Sequence, residues 1–243
     1  MSTDKKHTFV LVHGAWHGAW CWEKIVPLLS ASGHQVHTLD LPGLGEDKTP
    51  ISEVSLDSYV TKVSDLIISL AKPVVLVGHS MGGMVITQVA EKIPDRIDTL
   101  IYLTAFSPKH GETLLQYALQ DESDVAKYKQ VFEDEGYFIV PDDKIQKCFY
   151  DLCSQEDVDK AMQRLRPQAL APIATPLRLS EENYGTVRRC YIKCSQDRAI
   201  TPQMQDILCA NARLDSSLTL NTDHSPFYSC PQDLVEAFIS LAQ

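Results

Sequence analysis

The 243-residue chain has no run of five basic residues, no CxxC pair, no internal repeat and no tryptophan after Trp22. No apolar run approaches the roughly 18 residues of a membrane span. With 22 Lys and Arg against 32 Asp and Glu, the formal charge is −10. That balance repels phosphate, so no nucleic-acid partner is expected, and no membrane partner either. The start, Met1-Ser2-Thr3-Asp4-Lys5-Lys6, is polar and lacks the apolar core of a signal peptide. The seven cysteines, Cys21, Cys148, Cys153, Cys190, Cys194, Cys209 and Cys230, are odd in number and scattered. They read as free, mostly buried thiols, and the expected location is a reducing cytoplasm.

What is present is an ordinary globular composition, 44% hydrophobic and 22% charged. A chain of this length buries a sizeable core without disulfides or metals. Short β-rich runs alternate with helical stripes. Phe9 to Val12, Gln35 to Leu39, Val74 to Val77 and Ile97 to Leu103 read as strands. Trp22, Ile25, Val26 and Leu29 form one helical stripe, Val60, Val63, Ile67 and Leu70 another, and Val85, Ile86, Val89 and Ile93 a third. Val74-Val75-Leu76-Val77 has no polar alternation, which places it at the centre of a parallel sheet.

The alternation stops after Phe106 and resumes at Val187. Between them, stripes around Leu114 to Ala118, Val125 to Phe132, Ile145 to Leu152 and Val158 to Leu165 predict helices. The segment is acidic, with the runs Glu133-Asp134-Glu135 and Asp142-Asp143. Afterwards come a strand over Val187 to Lys193 and a helix capped by Thr201 with Pro202 first. A short strand over Leu218 to Leu220 and a closing helix from Pro231 follow. The fold class is α/β, a doubly wound, mostly parallel sheet. Residues 1–106 and 187–243 form the core, and 107–186 a helical cap inserted in it.

Gly78-His79-Ser80-Met81-Gly82 follows the central strand and opens a helix. In that context G-x-S-x-G is a nucleophile turn. Small neighbours allow the tight bend, and the serine stands at a helix N-terminus where developing negative charge is favoured. A serine hydroxyl needs a base, and in this topology an acid and then a histidine follow it in chain order. His224, in Thr222-Asp223-His224-Ser225, is the only histidine after His110. Asp197 is the only carboxylate in Ser195-Gln196-Asp197-Arg198, the loop after the penultimate strand. Asp223 competes, but as the neighbour of His224 it is poorly placed to reach the far side of the ring. The oxyanion donors are expected to be the amides of Met81 and Ala15, with Gly14 letting the backbone approach. His13 and His17 are spaced HxxxH, yet they lie in a glycine-containing loop without a carboxylate. They are expected to be hydrogen-bonded there, and no metal is expected. Trp20 and Trp22 read as packing, and Trp16 as a residue that touches the pocket.

Phe9-Val10-Leu11-Val12-His13-Gly14-Ala15-Trp16-His17-Gly18-Ala19-Trp20, Asp40-Leu41-Pro42-Gly43-Leu44-Gly45 and Gly78-His79-Ser80-Met81-Gly82-Gly83 resemble the α/β-hydrolase superfamily. Within it they resemble the methylesterase and hydroxynitrile lyase group, typified by plant salicylate methylesterases. The likeness is good over about residues 8–106 and 187–243. It implies Ser80 as nucleophile, Asp197 as acid, His224 as base, Ala15 and Met81 as oxyanion donors, a helical cap over the serine, and no cofactor.

Lyases of this group place a lysine after the catalytic histidine and a threonine beside the oxyanion loop; here those positions are Ser225 and Gly14. Ester hydrolysis is therefore the favoured activity. A hydroxynitrile lyase, or a carbon–carbon bond hydrolase using the same triad, is the alternative. The plant enzymes wall the pocket with a cap tryptophan, which this chain lacks. Tyr128, Phe132, Tyr137, Phe138 or Met162 are candidates to replace it. Gly14, Trp16, Ala199, Ile200 and Ser225 are expected to contact substrate. The expected site is small and mostly apolar. Arg198, the only nearby cation, is expected to point to solvent. The expected partner is a small neutral ester, methyl or aryl. A homodimer is left open.

Overall fold

In the computed structural model of the protein, residues 6–243 are described. The polar stretch Met1 to Lys5 lies outside them. The chain begins with β1 (Thr8–Val12), α1 (Ile25–Ala31) and β2 (Gln35–Thr38). Pro27 falls in the first turn of α1, and Gly33 stops the helix with φ 83°. Next come α2 (Leu56–Ser69), β3 (Val74–His79), α3 (Gly82–Lys92) and β4 (Ile97–Leu103). Helix α2 is opened by a reciprocal capping box between Ser55 and Ser58, and it buries Tyr59, Val60, Val63 and Ile67.

The segment after β4 folds into α4 (Leu114–Ala118), α5 (Asp124–Tyr128), β5 (Gln130–Phe132) and β6 (Tyr137–Ile139). Then follow α6 (Asp142–Phe149), α7 (Gln155–Met162), β7 (Gln168–Ala169) and α8 (Leu170–Ala174). The chain returns with β8 (Arg189–Cys194), α9 (Pro202–Ala212), β9 (Ser216–Leu220), α10 (Pro226–Ser229) and α11 (Pro231–Leu241).

Six strands form one sheet in the order β2-β1-β3-β4-β8-β9, every neighbouring pair parallel. Every residue of β3 is buried, as a strand covered by helices on both faces must be. The strand order reverses between β1 and β3. In such sheets ligands bind beyond the carboxyl ends of the strands at the reversal. Here those ends are the loops after Val12 and His79.

The cap differs from the all-helical insertion expected from periodicity. Its second predicted helix ends at Tyr128, and Phe132 lies in a strand. Strands β5, β6 and β7 form an antiparallel sheet, with Phe132 opposite Tyr137 and Phe138 opposite Gln168. The acidic run Glu133-Asp134-Glu135 is the turn of that hairpin, closed by Gly136 at φ 73°. Charged residues with a left-handed glycine between β-branched and aromatic runs make a hairpin, not a helix.

All seven cysteines are free; Cys21, Cys148, Cys190 and Cys194 are buried, the other three half-buried. Burial pushes the Cys21 and Cys194 thiols up, which keeps them protonated and unreactive. Among the described residues no helix is long and apolar enough to cross a membrane.

Candidate active site

Ser80 sits at the turn between β3 and α3 with φ 53°. Left-handed backbone at a non-glycine residue costs about 1–3 kcal/mol and persists only where its surroundings hold it. The Ser80 amide donates to Leu103 O at 3.2 Å, and its carbonyl accepts from Gly83 and Phe106 at 3.1 Å. The flanking glycines are demanded by contact. A Cβ on Gly78 would lie 2.6 Å from Gly82 O, and one on Gly83 2.4 Å from Phe106 O.

His224 follows β9 and Asp197 follows β8, and their loops meet in the interior. His224 Nδ1–H donates to Asp197 Oδ2 at 2.7 Å, with both side chains buried. This leaves Nε2 as the ring's remaining proton acceptor. Asp197 Oδ1 accepts the amides of Ala199 at 2.6 Å and Ile200 at 2.9 Å. Oδ2 also accepts from Thr104 Oγ1 at 2.5 Å. Asp223 is engaged elsewhere, accepting from Ser225 N at 3.1 Å, Ser229 Oγ at 2.9 Å and Leu152 N at 2.8 Å. It is Asp197, not Asp223, that reaches the imidazole.

The loop after β1 is held by its histidines. His13 Nδ1–H donates to Gly14 O at 2.8 Å, and its Nε2 accepts the Leu41 amide at 3.0 Å. His17 Nδ1–H donates to Ala15 O at 2.7 Å, and its Nε2 accepts Tyr150 O–H at 2.6 Å. Both rings use both nitrogens. Burial lowers His13 to about 4 and His17 to about 3, so both are neutral near pH 7. No cluster of three or more metal-ligating side chains occurs among the described residues. The Ala15 and Met81 amides donate to no group of the chain among the described residues. Both residues line the cavity that Ser80 lines.

That cavity has a volume of about 440 Å³. It is larger than the small site expected, within the usual range for drug-sized ligands. Ala15, Trp16, Ser80, Met81, Ala199 and Ile200 line it. Gly14 and Ser225 do not. Gly14 has no side chain to present, and its Cα packs against Ser80, where a Cβ would meet Ser80 Cβ at 2.8 Å. Ser225 is fully buried at the start of α10. Of the aromatic cap candidates Phe138 lines this cavity, while Tyr128, Phe132 and Tyr137 do not.

Two charged features also depart from expectation. Lys129 lines the cavity, its Nζ donating to Ala126 O at 3.3 Å. Arg198 does not simply point to solvent. It bridges Asp124 at 3.2 Å and Asp151 at 3.3 Å, tying the Asp197 loop to the cap. Asp121 strengthens the same tie, accepting Thr201 Oγ1 at 2.6 Å and the Thr201 amide at 3.2 Å. Sequence reasoning missed Thr104 and His79. Thr104 ends β4 in a left-handed turn at φ 36°, with no motif to mark it. His79 sits inside the G-x-S-x-G motif at a position the motif leaves free.

The site thus combines a serine on a strained strand-to-helix turn with a buried histidine–carboxylate pair, at the carboxyl ends of strands of a parallel α/β sheet. The model of the alpha/beta hydrolase family matches residues 9–237, and the chain belongs to that family. Methylesterase 1 of Arabidopsis thaliana is 34% identical, over 100% of this chain and 98% of its own. Among solved structures, polyneuridine aldehyde esterase superposes with a TM-score of 0.90 at 27% identity, covering 98% of this chain and 100% of that one. A pyrethroid hydrolase from Sphingobium faniae gives 0.88 at 26%, covering 98% of both chains.

Proposed function

We propose that this protein is a serine esterase that hydrolyses neutral carboxylic esters, methyl or aryl, through Ser80, His224 and Asp197. The observation that carries the reading is the buried 2.7 Å bond from His224 Nδ1 to Asp197, beside a serine that opens into an apolar cavity. His224 Nε2 takes the Ser80 proton as Oγ attacks the ester carbonyl. The oxyanion rests on the Ala15 and Met81 amides, worth several kcal/mol in such sites. His224 then protonates the leaving alcohol, and water repeats the cycle on the acyl-enzyme. The cavity volume supports a bulky apolar group on one side of the ester. The named activities of the methylesterase and pyrethroid hydrolase relatives support ester hydrolysis.

A hydroxynitrile lyase reading is disfavoured by Gly14. A threonine there would press its Cβ into Ser80 and His79 Nδ1. The test is labelling by a serine-directed phosphonate together with turnover of p-nitrophenyl acetate. Ser80→Ala should lose both. Retention of most turnover would sink the reading. Cyanide release from mandelonitrile, or diketone cleavage in the absence of ester turnover, would replace it with one of the alternatives.

A further inference from the structure

A second cavity, of about 190 Å³, is lined by Ile139, Val140, Ile145, Phe149, Met162 and Leu165, with Asp142 and Arg166 as its charged residues. Among the described residues Trp16 lines both this cavity and the one containing Ser80, and no other lining residue is shared. We propose that Trp16 is the specificity-determining residue of the site, a partition that limits the acyl bulk accepted beside Ser80. The proposal rests on the esterase reading and deepens it.

The indole is held in place from the cap. Its Nε1–H donates to Phe138 O at 3.2 Å. The Phe138 ring meets it edge-on at 5.0 Å and the Phe149 ring lies 5.2 Å away. The Trp16 carbonyl accepts the Arg166 amide at 2.9 Å. Strand β6, helix α6 and the loop before β7 thus grip one residue of the loop after β1. Trp16 also has φ 64°, an outlier for a bulky side chain that only a firmly held environment sustains. The residue is strained, 8% exposed and placed directly after Ala15.

Glycine accepts the positive φ without strain, so Trp16→Gly opens the partition with least disturbance. Trp16→Leu keeps apolar volume and serves as a second variant. Both are compared with wild type on p-nitrophenyl acetate and p-nitrophenyl diphenylacetate, with active sites counted by phosphonate titration. Rates are then per folded site. The ratio of kcat/KM for the bulky ester over acetate should rise at least tenfold, the scale on which apolar pockets discriminate size. Adding Met162→Trp should refill the second cavity and reverse the gain, while Met162→Trp alone should leave the ratio unchanged. An unchanged ratio in both Trp16 variants, with acetate still hydrolysed by wild type, overturns the partition. So does a gain that Met162→Trp does not reverse. Turnover of neither ester by wild type overturns the esterase reading and the proposal with it.

Discussion

The imidazole of His79 donates its Nε2 proton to the main-chain carbonyl of His224 at 2.9 Å. The two rings lie 4.6 Å apart. His79 immediately precedes Ser80, so this one bond ties the loop of the nucleophile to the loop of the base. Burial holds His79 well below its usual range, so the ring stays neutral with a single N–H. Among the described residues its Nδ1 has no partner, and it faces Gly14. His79→Leu should strand the His224 carbonyl at a cost of about 1–3 kcal/mol. It should also lower kcat per titrated site more than it changes KM. His79→Gln, which keeps an N–H, should recover part of the loss. Thermal melts with separate kcat and KM values check this. A His79→Leu variant that loses stability but keeps full kcat would show the bond to be structural only.

Thr104 bears on the acid in the same way. Among the described residues its hydroxyl is one of four donors on Asp197, and the only one from the turn that follows β4. A hydrogen bond to a charged group is worth about 1.5–3 kcal/mol. Thr104→Val preserves shape and removes the donor, so kcat/KM should fall at least about tenfold. Thr104→Ser should restore it. If Val and Ser behave alike in steady-state assays, the hydroxyl has no part in aligning Asp197.

Thr104 also shows where the sequence stops being readable. The inner strands of the large sheet are visible as apolar runs because burial on both faces leaves little alternation, and β3 is the plainest case. Ser80, Asp197 and His224 follow from chain order, since each stands just past a strand end. Thr104 has no such marker. Its role arises only when β4 pairs with β8 and brings Leu103 beside Ile192, near the Asp197 loop. The cap sheet is hidden for a related reason. Strand β7 is two residues long and pairs with β6 across some thirty positions, a contact no local pattern encodes. The hairpin of β5 and β6 was legible through Gly136, but the periodicity of Val125, Tyr128 and Phe132 masked it.

The backbone of Ser80 yields a stability prediction opposite in sign to its effect on activity. Its φ of 53° strains any residue with a Cβ by about 1–3 kcal/mol. Glycine relieves that strain and gives back about 0.4–1 kcal/mol through the freer unfolded chain. Ser80→Gly should therefore abolish ester turnover and raise stability by about 1 kcal/mol. Ser80→Ala should abolish turnover with no such gain. Calorimetric melts of the two inactive variants decide it. A Ser80→Gly protein that melts below Ser80→Ala would mean the turn carries no strain.

The buried histidines should make the fold acid-labile before most carboxylates titrate. His13 and His17 are lowered to about 4 and about 3, chiefly by desolvation, and His79 is lowered too. In the unfolded chain each returns to about 6.5. Below pH 6.5 the unfolded state therefore binds protons that the folded state refuses. Their full contribution to stability is present above that pH. It declines as pH falls toward 4, and for His17 toward 3. Each histidine adds a slope of about 1.4 kcal/mol per pH unit where only the unfolded form is charged. Urea midpoints should fall steeply between pH 6.5 and 5. His17→Gln should lower stability at pH 7.5, because Tyr150 and Ala15 O lose their partner, yet flatten the slope by about one proton. A midpoint that stays level from pH 7 to 5 would mean these rings become charged without unfolding the site.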